Sequence, residues 1–190
     1  MNREEMALFK DKKMGFFIYL GVEVVMFAVL FATYLIFTPA TQGPHPSEVF
    51  EAKIVILSSF FLLSSSGTLW LGERALKKKK QAFFLIGLGI TKLFAIIFLG
   101  FEVYEFASFV KEGYGMSASV FMSSYYALVG LHAAHVAFGV GWMGVLFVQY
   151  FRRIPLTLFT EKLSIFAYYW HFVDIVWVFI IGIVYLPYLL

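Results

Sequence analysis

This sequence predicts an all-α membrane bundle of five helices, and three observations carry the prediction. Its 190 residues are 61% hydrophobic and 14% charged, whereas a soluble domain is nearer half apolar and a quarter charged. Five apolar runs, at about 14–37, 54–75, 82–107, 120–150 and 164–187, each reach the roughly 20 residues that cross a hydrocarbon core of about 30 Å. Lysine and arginine gather in alternate connectors, as they do when a chain threads a membrane repeatedly. The reading is a charged lead over 1–13 followed by one transmembrane domain over 14–187.

Each run has its own justification. The first is too long for the core of a signal peptide, contains Glu23 and has no small-residue cleavage site after it, so it reads as a retained helix. Pro39, Gly43, Pro44, His45 and Pro46 make 38–53 a loop. The second helix is rich in hydroxyls (Ser58, Ser59, Ser64, Ser65, Ser66, Thr68), which bond back to their own helix or across to a neighbour. The third follows the basic connector at 72–81 and holds Lys92, Glu102 and Glu105. The fourth carries Gly130, Ala134, Ala137, Gly141 and Gly144 at spacings of four, three, four and three, one close-approach seam for a neighbouring helix. Arg152, Arg153 and Pro155 end it. The fifth holds His171 and Asp174, three apart on one helix face, with Trp170 and Trp177 on either side of the acid. Tyr34, Trp70, Tyr125, Tyr126, Tyr150, Tyr185 and Tyr188 sit near run ends and read as interfacial anchors.

The lead and the connectors at 72–81 and 151–163 hold four, five and three Lys or Arg, against Lys53 and Lys111 on the other side. That asymmetry puts the N-terminus in the cytoplasm and the C-terminus outside. At 1.5 Å per residue, Glu23, Lys92 and Asp174 lie about 14–15 Å from the cytoplasmic side and His135 and His171 about 10 Å. These five groups fall in one slab, with Glu102 and Glu105 near the outer surface.

Charged groups at such depth face protein or water. Glu23 reads as a structural acid bonded to a neighbouring helix or as a proton-relay carboxylate. His132, His135 and His171 read as interhelical hydrogen-bonding groups before metal ligands, since two helices supply only three of them. Asp174 reads as a pairing acid. Lys92 is expected to neutralise Glu23 or Asp174, or else to meet another subunit or snorkel. With no cysteine there is no disulfide and no thiolate metal site. Nothing builds a nucleophile triad, a phosphate loop or a nucleic-acid surface. A free-standing proton or ion transporter using Glu23, Lys92 and Asp174 is the reading from another class, and the lack of an internal repeat argues against it. A metal protein using the three histidines is another.

Four stretches resemble subunit III of the haem-copper terminal oxidases. Tyr169-Trp170-His171-Phe172-Val173-Asp174-Ile175-Val176-Trp177 is similar to that family's final-helix signature. Gly130-Leu131-His132-Ala133-Ala134-His135 is similar to its Gly-x-His-x-x-His element, and Phe101-Glu102-Val103-Tyr104-Glu105-Phe106 to its paired-glutamate motif. Glu23, within Val22-Glu23-Val24-Val25-Met26-Phe27, matches its buried glutamate. All four occur in family order.

The resemblance implies a non-catalytic subunit of a bacterial aa3-type respiratory oxidase in the plasma membrane, reducing oxygen with electrons from cytochrome c or quinol. A nitric oxide reductase accessory subunit resembles the same family. It implies haem and copper in partner subunits I and II and none on this chain. It also implies direct packing against subunit I, bound phospholipid, and support of proton uptake and lasting turnover. Large members have seven helices. This chain lacks the first two, as shorter bacterial forms do, so a lipid cleft needs another subunit to complete it. Lys92 departs from the apolar or hydroxyl residue expected there. The expectation is that Glu23 and His135 pair inside the bundle with Lys92 nearby.

Overall fold

The computed structural model describes residues 3–38 and 52–189. Five long helices run α1 (Arg3–Ile36), α2 (Ala52–Lys77), α3 (Gln81–Lys111), α4 (Val120–Phe151) and α5 (Leu156–Ile180). A five-residue π-helical segment, Ile181–Tyr185, and a short α6, Leu186–Leu189, continue α5. All five are long and apolar enough to cross a membrane, and no strand occurs among the described residues. The chain is a multi-pass membrane protein. The loop expected around His45 lies outside the described residues.

The helices outrun the apolar runs that predict them. α1 begins in the charged lead, because Glu, Met, Ala, Leu and Lys are good helix formers whatever their polarity. α5 begins at Leu156, directly after Pro155, where proline's fixed φ suits a helix start. Apolarity marks the hydrocarbon span, while the backbone ladder continues into the interface. Ser119 caps α4, its Oγ accepting from the Met122 N–H at 3.1 Å, which satisfies one of the free donors of the first turn. Lys79 and Arg153 stand at φ 60° and 54°, turning the chain sharply out of α2 and α4 within the two basic connectors.

Neighbouring helices run up and down. α4 and α5 form the centre, α1 packs on one side of both, and the α2–α3 hairpin packs on the other. Inside the hairpin the backbones nearly touch. A Cβ on Gly87 would lie 3.0 Å from the Gly72 Cα and 3.1 Å from the Thr68 carbonyl oxygen, so two glycines there replace the side chains that usually hold helices apart. α5 is the most enclosed element, with 56% of its most apolar window buried in the bundle against 11% for α1. Its Trp170 and Trp177 are fully buried, as are Phe166 beside the first and Phe98 beside the second.

Three residues expected as interfacial anchors are core residues instead. Tyr34, Tyr125 and Tyr185 are all fully buried, while Trp70 is exposed as an anchor should be. The π-helical segment explains the position of Tyr185. A regular helix returns to the same face after seven residues. Turns closed i→i+5 hold more residues, so the step of eight from Trp177 returns to that face, and the two rings sit 6.1 Å apart. The Tyr34 hydroxyl reaches the Val184 carbonyl in the same segment, at 3.4 Å.

Candidate functional site

The intramembrane polar groups, gathered by depth in the sequence, divide among different helix interfaces and form separate islands. The first joins α1 to α4. Glu23 Oε2 and His135 Nε2 are 3.2 Å apart, each side chain 12% exposed. His135 Nδ1 lies 2.8 Å from the Leu131 carbonyl, an acceptor only, so that nitrogen carries a proton. The contact to Glu23 is then either a protonated carboxyl donating to Nε2 or an imidazolium donating to a carboxylate. Both arrangements are neutral overall, and both hold one proton between two helices. Tyr169 from α5 donates to the His135 carbonyl at 2.9 Å, and the Phe27 ring packs 5.3 Å from the imidazole. Tyr19, one turn before Glu23, brings its hydroxyl to the same carboxyl.

The second island joins α2 to α5. The Ser66 hydroxyl donates to Asp174 Oδ2 and stands 3.1 Å from His171 Nδ1. Asp174 is 7% exposed, and its Oδ1 has no partner among the described residues. The tryptophans on either side extend this contact along the interface. Trp170 Nε1 donates to Ser65 Oγ at 2.9 Å, and Trp177 Nε1 to Ser59 Oγ at 3.1 Å. The hydroxyl stripe of α2 therefore serves the acid and indoles of α5, a match available from the sequence only once the two helices are known to be neighbours.

The third island lies six to nine residues before the end of α3. Glu102 and Glu105 are 2% and 3% exposed, so at that end of the helix they face into the bundle. Tyr125 and Tyr185 bring their hydroxyls within 2.9 Å of each other and each within 3.4 Å of Glu105 Oε2. Glu102 Oε2 has no partner among the described residues. Sequence reasoning missed both tyrosines as members of this site. The available signal was phase: Tyr125 lies seven residues before His132 and therefore on the same inward face of α4.

Two expectations are corrected. His132 makes no interhelical hydrogen bond: neither ring nitrogen has a partner among the described residues. It is fully buried, stacked on Trp177 at 5.0 Å and 21°, with Phe98 edge-on at 6.0 Å. Lys92 neutralises neither Glu23 nor Asp174. The only ion pair among the described residues is Glu23–His135, and Lys92 sits on α3, across the bundle from α1. Its ammonium stands beside Gly144 instead, 3.4 Å from where a Cβ would be.

The middle of the small-residue seam of α4 receives no helix among the described residues. Ala134, Ala137 and Gly141 are exposed, and nothing lies within 4 Å of a Cβ on Gly141. Gly130 and Gly144 are half-buried at its ends, beside the Phe106 ring and Lys92 of α3. The close internal approach of α4 is at Gly139, where a Cβ would stand 2.8 Å from Cε3 of Trp170. His132, His135 and His171 lie at three different interfaces, and no three His, Asp or Glu side chains converge as a ligand set among the described residues.

The family profile described as cytochrome c oxidase subunit III matches residues 2–187. The chain is 42% identical over 180 residues to cytochrome c oxidase subunit 3 of Alkalihalophilus pseudofirmus, covering 93% of this chain and 87% of that one. It is 43% identical over 183 residues to the protein of that name from Bacillus sp. strain PS3, covering 93% and 86%. It is 38% identical over 176 residues to the probable quinol oxidase subunit 3 of Staphylococcus haemolyticus, covering 92% and 88%.

Proposed function

The chain belongs to the cytochrome c oxidase subunit III family of bacterial haem-copper oxidases, and from that premise we propose what it does in the complex. It is a non-catalytic subunit of an aa3-type terminal oxidase in the plasma membrane, with its basic end toward the cytoplasm. It packs directly on subunit I, stabilises it, and supports proton uptake during oxygen reduction. Cytochrome c is the proposed donor, since the relatives named for it share more of this sequence than those named for quinol.

The observation that carries this reading is the Glu23–His135 pair. It is an acid and a base in contact, nearly enclosed by α1, α4 and Tyr169 of α5, sharing one proton without net charge. The shared proton can pass between carboxyl and imidazole without changing the net charge of the pair, so the two groups sit together in a low-dielectric interior where either charge alone would be costly. Haem and copper are assigned to subunits I and II from the family reading. Bound phospholipid is assigned to the apolar outer surfaces of the bundle.

Affinity purification of the tagged chain from its own membranes in mild detergent tests the reading. Haem a bands in the reduced-minus-oxidised spectrum, together with two larger subunits, are the expected result. A chain that comes alone and colourless overturns it. Oxygen consumption by the complex with reduced cytochrome c, and not with quinol, is the expected donor result.

A further inference from the structure

We infer that Lys92 is the anchor of an ion pair between subunits: it takes a carboxylate from a transmembrane helix of a partner subunit that lies along the outward face of α4. The inference rests on the subunit reading above and adds the chemistry of the contact. Lys92 is eleven residues past the start of α3, about 16 Å along the helix. Its ammonium leans across to Gly144, which lies seven residues, or about 10 Å of rise, before the end of α4. The side chain has thus bent toward the basic end and stops about two turns short of the end of α4. Its surroundings are apolar: Leu93, Ile96, Val145 and Val148 are all exposed beside it. A lysine held at that depth marks a partner.

The described residues do not supply one. Glu23 is taken by His135 and Asp174 by Ser66, both on other interfaces. Glu102 and Glu105 are enclosed ten and thirteen residues further along α3. No carboxylate among the described residues reaches within ion-pair distance of Lys92. A lipid phosphate is the competing occupant, because the ammonium bends toward the headgroup side, and zero-length cross-linking distinguishes the two. A helix fits better. The face of α4 next to the ammonium is Ala134, Ala137, Gly141 and Gly144, and side chains this small let a second backbone come close enough for a short acidic side chain to meet Lys92. Lipid chains require no such clearance.

Zero-length cross-linking tests the inference without altering the chain. A membrane-permeant carbodiimide applied to the wild-type complex condenses a lysine with a carboxylate in contact, leaving as its urea, and peptide mapping identifies both ends. The expected product joins Lys92 to an Asp or Glu of a transmembrane helix in a partner subunit. Lys92→Arg keeps the ion pair but not the cross-link, so the partner subunits should still co-purify. Lys92→Glu sets like charges together and should lower their yield at least tenfold. A wild-type complex that gives no such product, or one joining Lys92 to a lipid headgroup, overturns the inference, as does a Lys92→Glu chain that retains its partners in full. If the wild-type chain brings no partner at all, the subunit reading fails first and this inference with it, and that outcome is seen before any variant is made.

Discussion

Gly139 and Gly141 stand two residues apart on α4 and have opposite environments. A Cβ at 139 would enter the Trp170 indole, while a Cβ at 141 would meet nothing within 4 Å. One glycine is required by the chain's own packing; the other belongs to a face that the chain leaves open. The same split runs the length of the helix. The inward face carries His132, Val136, Gly139 and Met143, all buried, and the outward face carries Ala134, Ala137 and Gly141, all exposed. Small residues at helical spacing therefore do not by themselves say which helix they serve.

Gly139→Leu is the substitution that breaks the comparison most severely. Trp170 cannot swing away, because its N–H is bonded to Ser65 and its ring lies against Phe166, 5.8 Å between centroids. Overpacking a site this rigid costs about 3 kcal/mol or more. Thermal unfolding of the purified chain in detergent should show it as a large fall in midpoint or as loss of the folded species. A midpoint near that of wild type would mean that α4 and α5 can separate without harm.

Replacing Ser66 by Ala asks whether the polar contacts of the interior matter as much as its shape. Asp174 Oδ1 already has no partner among the described residues, and Ser66→Ala takes the donor from Oδ2 as well. Hydrogen bonds between membrane helices average roughly 0.6 kcal/mol with a maximum near 1.7, and this one serves a carboxyl group, so the upper end is expected. The same unfolding assay checks it. A cost above that of Gly139→Leu would reverse the order of shape and hydrogen bonding proposed for this bundle.

How much of this was legible in the chain depends on whether a property is one-dimensional. The five spans are: about 20 apolar residues in sequence suffice. Depth is as well, and it correctly gathers Glu23 with His135. Direction around each helix is not, because depth cannot tell which neighbour a residue faces. Lys92 and Glu23 share a depth and sit on opposite sides of the bundle. Tyr34, Tyr125 and Tyr185 share the depth of an interfacial belt and face inward. For Tyr125 the helical phase with His132 held the answer. For Tyr185 the π-helical segment changes the phase, bringing the ring onto Trp177 where a regular helix would set it about 80° away. The pairing of the α2 hydroxyls with Trp170, Asp174 and Trp177 was readable as two complementary lists, but not as a contact.

Tyr185→Phe gives a smaller effect at the far end of the same interior. The hydroxyl bonds Tyr125 at 2.9 Å and approaches Glu105 at 3.4 Å, while the ring supplies the packing against Trp177. Removing only the oxygen keeps the ring, so about 0.5–1.5 kcal/mol is expected. Tyr125→Phe should cost a similar amount. The double variant should cost less than the two summed, because the hydroxyls bond each other. Strict additivity in that cycle would mean each hydroxyl acts on the carboxylate alone.

Gly141→Leu gives the smallest effect on the isolated chain and the most telling one on the complex. The site is open, and a glycine inside a helix is about 1 kcal/mol poorer than alanine. The added side chain enters lipid or detergent, which welcomes it. The isolated chain should therefore unfold at its wild-type midpoint or slightly above, in direct contrast to Gly139→Leu. If the outward face of α4 receives a helix of another subunit, the same leucine fills the space that helix needs, and the yield of co-purified subunits should fall. A chain of unchanged stability that still brings its partners in full would assign this face to lipid. A chain of unchanged stability that loses them would separate the two glycines by role: one holds the bundle together, and the other leaves room for what the bundle binds.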